Sequence, residues 1–223
     1  MDSIFRGDLA SARGRRLAWL DSLLVDHGLF RLVWTNFAPV IPGRLYRSNH
    51  PTPGHLAAFT RRHGLRSLVN LRGATGNGSD ALSRDTARQL GLHFIDLPMR
   101  SRDAPRREQV LRLAETFRLM AEPALIHCKS GADRAGFASA VFVLLAGGGS
   151  EAALRQLSLR FGHFRRSRAG LMDAFVHRYA REAEGRLPFL DWVRAEYDEA
   201  ALRRDFAAGG LSSFVNDRLL ARE

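Results

Sequence analysis

The stretch Ala124-Leu125-Ile126-His127-Cys128-Lys129-Ser130-Gly131-Ala132-Asp133-Arg134-Ala135-Gly136 decides the reading of this chain. An apolar strand leads into a turn of small residues, and an apolar helix is expected from Ala135 to Ala146. The strand end delivers the only cysteine, Cys128, to that turn. The first helical turn points its free N–H groups back at the sulfur, and the helix dipole together with Arg134 favours negative charge there. An unperturbed thiol of pKa about 8.5 is only about 3% ionised at pH 7, whereas thiols at helix N-termini or beside cations fall to roughly 3.5–7.5. The same N–H groups and the planar fork of Arg134 match the three equatorial oxygens of a phosphoryl group. Nucleophile and anion pocket form one device.

Spacing alone is weak evidence. Arginine supplies 33 of the 34 basic residues among 223, so a random cysteine has about a 15% chance of an arginine six positions later. Context carries the reading: a strand before, His127 adjacent, Gly131 inside the turn, Gly136 just past it and a helix after. The competing reading is a buried, inert cysteine.

The run His127 to Arg134 resembles the His-Cys-x5-Arg loop of the cysteine-dependent protein tyrosine and dual-specificity phosphatases, especially the bacterial and lipid-active branches with Lys after Cys and Asp before Arg. Similarity extends through Pro42-Gly43-Arg44-Leu45-Tyr46-Arg47-Ser48 and Leu68-Val69-Asn70-Leu71-Arg72-Gly73. The resemblance implies that Cys128 attacks phosphorus to form a phosphocysteine, that Lys129, Ser130, Gly131, Ala132, Asp133 and Arg134 cradle the phosphate, and that water completes hydrolysis. In these families Ser or Thr usually follows the arginine and eases departure of the thiolate; Ala135 stands here. No Trp-Pro-Asp sequence supplies the general acid. By the same resemblance Asp103 lies on the acid-bearing loop and Asp133 is the rival, with Asp96 a third choice. Each has a bland reading: Asp103 as a helix N-cap, Asp133 as a loop brace, Asp96 as a strand end.

Lys129 is the only lysine, which hints at a need for a compact ammonium, although a solvated rim cation reads equally well. His127 is expected to brace the backbone. Arg47, Ser48 and Arg72 could reach the phosphate site, but surface solvation or a structural ion pair is the expected role.

The length suits one α/β domain with helical additions, and 45% apolar and 26% charged residues are ordinary for a globular chain. The expected fold is a central, mainly parallel sheet flanked by helices, with an N-terminal helix and a C-terminal helical extension. Its expected divisions are 1–40 (N-terminal helical), 41–166 (catalytic) and 167–223 (a helical extension packed on the catalytic domain). Helices are expected over Leu9–Val25, Thr52–His63, Asp80–Leu90, Arg106–Ala121, Glu151–Arg160 (capped by Ser150), Arg168–Glu184, Phe189–Tyr197 and Glu199–Ala208, and strands over Leu65–Leu71 and His93–Leu97. Residues 39–54 read as a Pro/Gly-rich segment and 73–79 as a flexible loop. Trp192 and Tyr197 read as core or interface anchors.

One cysteine excludes an intrachain disulfide and suits a reducing cytoplasm, and the resemblance to the bacterial branch implies a bacterial one. No apolar run reaches 18 residues, so no membrane span is expected, and Leu17, Leu20 and Leu24 predict a packed amphipathic first helix. The net charge of +11 and the cluster Arg155, Arg160, Arg165, Arg166 and Arg168 suit a phosphorylated protein or an anionic phosphorylated small molecule or lipid. Nucleic acid is the weaker partner, because no helix-turn-helix, zinc or RNP-type pattern accompanies the charge. No metal site or other cofactor is expected, since the loop and Arg134 supply the positive field. The expected function is phosphomonoester hydrolysis of the tyrosine or dual-specificity type. A phosphoinositide or other lipid or sugar phosphate phosphatase is the alternative substrate class, and a phosphate-binding pseudophosphatase the alternative of another kind. A cysteine-based sulfurtransferase or arsenate reductase is a more distant choice, and the oligomeric state stays open.

Overall fold

The computed structural model describes residues 3–7, 9–26, 29–100 and 103–207. Helix α1 (Ala12–Leu20) is capped by the Ser11 hydroxyl, which accepts from the Gly14 amide, and it continues as a π-helical turn over Asp21–Val25. A short α2 (Leu29–Val33) leads into the hairpin β1 (Ala38–Ile41) and β2 (Leu45–Ser48). The hairpin lies inside the segment read as merely rich in Pro and Gly. Pro39 is tolerated because β1 is an edge strand, where a missing N–H costs little.

Then follow α3 (Pro53–His63), β3 (Ser67–Asn70), α4 (Gly78–Gln89), β4 (His93–Asp96), α5 (Arg107–Leu119), β5 (Ala124–His127) and α6 (Asp133–Leu145). Local chemistry sets these boundaries. Thr52 accepts from the His55 amide with Pro53 in the first turn of α3, and Asn77 accepts from the Asp80 amide ahead of α4.

The sheet order is β1-β2-β5-β3-β4, parallel except for β1 against β2. Ser48 and Asn70 both pair with His127, and Asn70 pairs with Asp96, so four strands end at one edge. Ligands of open α/β sheets sit outside such an edge. Alternation splits the core. Tyr46, Leu68 and Leu125 pack toward α3 and α4, whereas Leu45, Val69, Ala124 and Ile126 pack toward α5, α6 and the C-terminal helices. Helix α6 is buried along nearly its whole length, as expected of a helix apolar on every side.

The C-terminal part departs from its expected outline. Helix α7 spans only Ser150–Leu154 and begins at Ser150 instead of being capped by it; the Ser150 amide donates to Glu184. The chain then turns through a 3-10 segment, Leu159–Phe161, because Phe161 is drawn inward beneath the guanidinium of Arg47, 3.8 Å from its ring centre. After a 3-10 turn at Arg168–Gly170, α8 (Leu171–Glu182), α9 (Phe189–Ala195) and α10 (199–207) complete the fold. Ala208, the expected end of the last helix, lies outside the described residues. Trp192 and Tyr197 are fully buried around Phe175, which in turn meets Phe137 of α6 edge to face. Both are core anchors, as the sequence suggests.

Candidate active site

β5 is buried on both faces and carries Cys128 to the ligand edge of the sheet, where the chain turns around Gly131 into α6. Gly131 has φ +77, and a side chain there would bring Cβ within 2.7 Å of the Asn49 amide nitrogen. Only glycine fits both the left-handed backbone and the space. Its N–H donates to Cys128 Sγ at 3.2 Å. The sulfur lies in a loop tight enough to be hydrogen-bonded by the loop's own backbone.

Arg47 holds that loop from below. It is fully buried, donating through Nη2 to the carbonyls of Gly131 (2.6 Å) and Ala132 (3.1 Å) and through Nη1 to the carbonyl of Gln156 (2.6 Å). Burial pushes its pKa down to about 10, and the Cys128 sulfur pulls it back up, so Arg47 is a cation at neutral pH. Tying carbonyls downward turns the loop's N–H groups toward the mouth. Arg47 is therefore neither a phosphate ligand nor a solvated surface residue. Ser48 is likewise turned away, its hydroxyl donating to the carbonyl of Asn49. Asn36, at φ +50, donates to the carbonyls of Ser130 and Phe161 and closes the loop from the side.

Arg134 is partly exposed and makes no hydrogen bond or ion pair among the described residues, which leaves its fork available. Lys129 sits at the rim, half exposed, with Nζ 3.5 Å from Asp26. Asp26 is the hub of a cation cluster that no motif announces. It takes a bidentate pair from Arg72 (2.7 and 2.8 Å) and an ion pair from Arg31 (3.0 Å). Burial opposes its charge, but Arg72 and Arg31 outweigh that and lower its pKa to about 2. Arg72 thus fills the structural ion-pair role. Burial, reinforced by the field of Arg72, drives the pKa of His127 down to about 3, so this residue is a neutral packing element beside Cys128.

The candidate acids have different surroundings. Asp133 opens α6 and its Oδ1 lies 2.8 Å from Nδ1 of the buried His163, whose Nε2 lies 2.6 Å from Asp173. Burial disfavours the imidazolium, but the two carboxylates prevail and raise its pKa to about 9. Asp103 lies on the loop leaving β4, accepting from Arg203 Nε of α10 (2.7 Å) and from the next amide, Ala104 (2.8 Å). The hydrogen bond from Arg203 holds it below the usual carboxylate range. It does not cap α5, whose N-cap position is Arg106 with no side-chain bond. Asp96 is paired with Arg84 and Asn70. Sequence reading missed Asp26, Asn36, His163 as a partner of Asp133, and Asp173; none belongs to a motif, and only the fold brings them to the loop.

Comparisons with known proteins agree with this geometry. Residues 35–174 match the family model described as the Swiss Army Knife protein, DSP-PTPase phosphatase domain. Among solved structures the chain is similar to P. aeruginosa TpbA, with 22% identity over 72% of this chain and 89% of that one and a TM-score of 0.53. The core catalytic domain of the PP-IP phosphatase Siw14 from S. cerevisiae is 20% identical over 70% of this chain and 96% of its own, with a TM-score of 0.52. At these identities the likenesses show a shared fold. No curated protein matches the chain. With its family model spanning well over half of its length and a cysteine loop built at the ligand edge of the matching fold, the chain belongs to the DSP-PTPase phosphatase domain family and is a cysteine-based phosphatase.

Proposed function

We propose that Cys128 is the nucleophile of a two-step phosphomonoester hydrolysis. Its sulfur attacks phosphorus, an S–P bond forms, the P–O bond to the leaving group breaks, and the departing oxygen takes a proton from a carboxyl group. Water then attacks the phosphocysteine, the S–P bond breaks, and the carboxylate accepts the water's proton. The backbone N–H groups of residues 129–134 and the fork of Arg134 bind the phosphoryl oxygens and stabilise their growing charge. The observation that carries this reading is the Gly131 N–H directed at Sγ within a loop braced by Arg47.

We assign the leaving group's acid to Asp103. Its loop departs from the same sheet edge as Cys128, and its cation partner Arg203 is partly exposed and can yield. Asp133 faces a buried imidazolium instead, which suits a carboxylate that orients the loop. The substrate reading is a phosphorylated protein with phosphotyrosine-like residues; a cysteine-to-serine form of TpbA has been solved in complex with pTyr. We further propose a catalytic unit built around residues 41–166, with the described residues before and after it packed on it, residues 208–223 of the expected extension lying outside the described residues, and a bacterial cytoplasmic setting that keeps the single thiol reduced. Among the described residues no helix is long and apolar enough to cross a membrane.

The test is release of phosphate from p-nitrophenyl phosphate with chelator present, together with acid-quench mass spectrometry of the protein. Loss of turnover in Cys128→Ser, a strong fall in Arg134→Lys and a phosphate adduct on Cys128 are expected. Full activity in Cys128→Ser defeats the mechanism.

A further inference from the structure

The described residues 20–26 and 29–34 are built inside out. Their polar side chains Asp21, Ser22, Asp26 and Arg31 are buried, whereas Leu24 (62% exposed), Leu29 (63%), Leu32 and Val33 (92%) face outward. Seven of the ten exposed large apolar side chains among the described residues fall between Ile4 and Trp34, a concentration that scattered surface leucines do not produce. The first helix therefore does not bury the Leu20 and Leu24 stripe that its sequence suggests.

The inversion is held in place. Asp21 accepts from the amides of Ile4 and Gly78, each at 2.6 Å, and Arg31 donates to the carbonyls of Ser22 and Asp26 and to Ser79. On the far side of α1, Gly14 and Ala18 are buried, and a Cβ on Gly78 would stand 2.2 Å from the Ala18 carbonyl oxygen, so this face is pressed against α4. Rolling the segment to bury its leucines would break these bonds. Its apolar side stays outside.

Charge selects the occupant. Arg13 and Arg16 continue the exposed Leu20 and Leu24 stripe at helical spacing, and neither forms an ion pair among the described residues. A second copy of a chain carrying +11 would be repelled, whereas an anionic lipid surface would be attracted. Arginine beside leucine and a half-exposed tryptophan is the composition of an interfacial element. Trp34 brings this surface to the active site: a side chain on Gly162 would touch the Trp34 ring at 3.6 Å and Ala132 of the catalytic loop at 4.0 Å.

We propose that Leu20, Leu24, Leu29, Leu32, Val33 and Trp34 insert into the interfacial layer of an anionic membrane, with Arg13 and Arg16 over the headgroups. The catalytic mouth then works next to that surface. The proposal is independent of the chemistry at Cys128.

The test is flotation of the full chain with vesicles of phosphatidylcholine alone and of equal parts phosphatidylcholine and phosphatidylglycerol. Binding to the anionic vesicles, weakened by salt, is expected. Leu24→Glu with Val33→Glu lowers the bound fraction about ten-fold, and Arg13→Glu with Arg16→Glu abolishes the preference for phosphatidylglycerol. Both pairs keep wild-type turnover of p-nitrophenyl phosphate in solution, which shows that they fold, and Cys128→Ser floats like the wild type. Three results overturn the proposal: an active wild type that does not float, flotation untouched by the glutamate pair at 24 and 33, and self-association that vanishes in that pair, which makes a second copy the occupant.

Discussion

His163 places its Nδ1 2.8 Å from Asp133 Oδ1, so a buried imidazolium is clamped to the first residue of the catalytic helix, with Asp173 behind it at 2.6 Å. The folded state raises the His163 pKa from the ordinary 6.5 to about 9. A raised pKa contributes stability fully below the unfolded value, and that stability disappears as pH climbs through the folded one. The contribution is about 3 kcal/mol below pH 6.5 and is lost by about pH 9. Urea denaturation of wild type and His163→Gln at several pH values should show a gap that narrows across this window; a gap independent of pH contradicts the assignment.

Among the described residues Arg47 neutralises no carboxylate; it answers the carbonyls of Gly131, Ala132 and Gln156. Arg47→Met strands these acceptors and should cost on the order of 3 kcal/mol, with kcat reduced at least about ten-fold because the loop N–H groups lose their aim. Lysine presents a point charge without the fork, so Arg47→Lys should restore little activity. Chemical denaturation and steady-state kinetics measure both. Wild-type kcat in Arg47→Met would remove the brace from the mechanism.

Arg203 holds the Asp103 pKa down, and an acid works only while protonated. Arg203→Gln should therefore move the falling limb of the pH profile to higher pH on an alkyl phosphate, with little change on p-nitrophenyl phosphate, whose leaving group scarcely needs a proton. Asp103→Asn should slow the alkyl phosphate by about 100-fold or more. If Asp133→Asn has that effect and Asp103→Asn does not, the two carboxylates exchange roles.

Ala135 is fully buried at the start of α6, where it offers no hydroxyl to the departing sulfur. Breakdown of the phosphocysteine should then limit turnover, giving a burst of nitrophenol near one equivalent in rapid mixing. Ala135→Ser should shrink the burst and raise the steady rate. A linear trace in the wild type would place the slow step earlier.

The loop from Cys128 to Arg134 was legible because its meaning is local: strand, small-residue turn and helix lie within a few residues of one another. The strand-helix alternation from Pro53 to Leu145 was legible for the same reason, through periodicity and caps at Thr52 and Asn77. What escaped depends on distance along the chain. Asp26 meets Arg72 across 46 positions and Asn36 meets Ser130 across 94, and no period or motif joins them. In a chain with 33 arginines, the buried Arg47 looks like every solvated one. The β1–β2 hairpin was hidden by Pro39 and Pro42, which mark a turn equally well without strands.

The grip of the C-terminal helices on the acid loop has a further consequence. Tyr197 bonds the Pro105 carbonyl, Glu199 accepts from the Arg107 amide, and Arg203 holds Asp103. On the proposed assignment, the proton donor Asp103 is thus leashed to a part of the chain remote in sequence from the Cys128 loop. Anything that tugs this leash retunes how readily alkyl esters are cleaved while leaving aryl esters alone, so selectivity between serine-type and tyrosine-type phosphates becomes adjustable from the molecule's periphery.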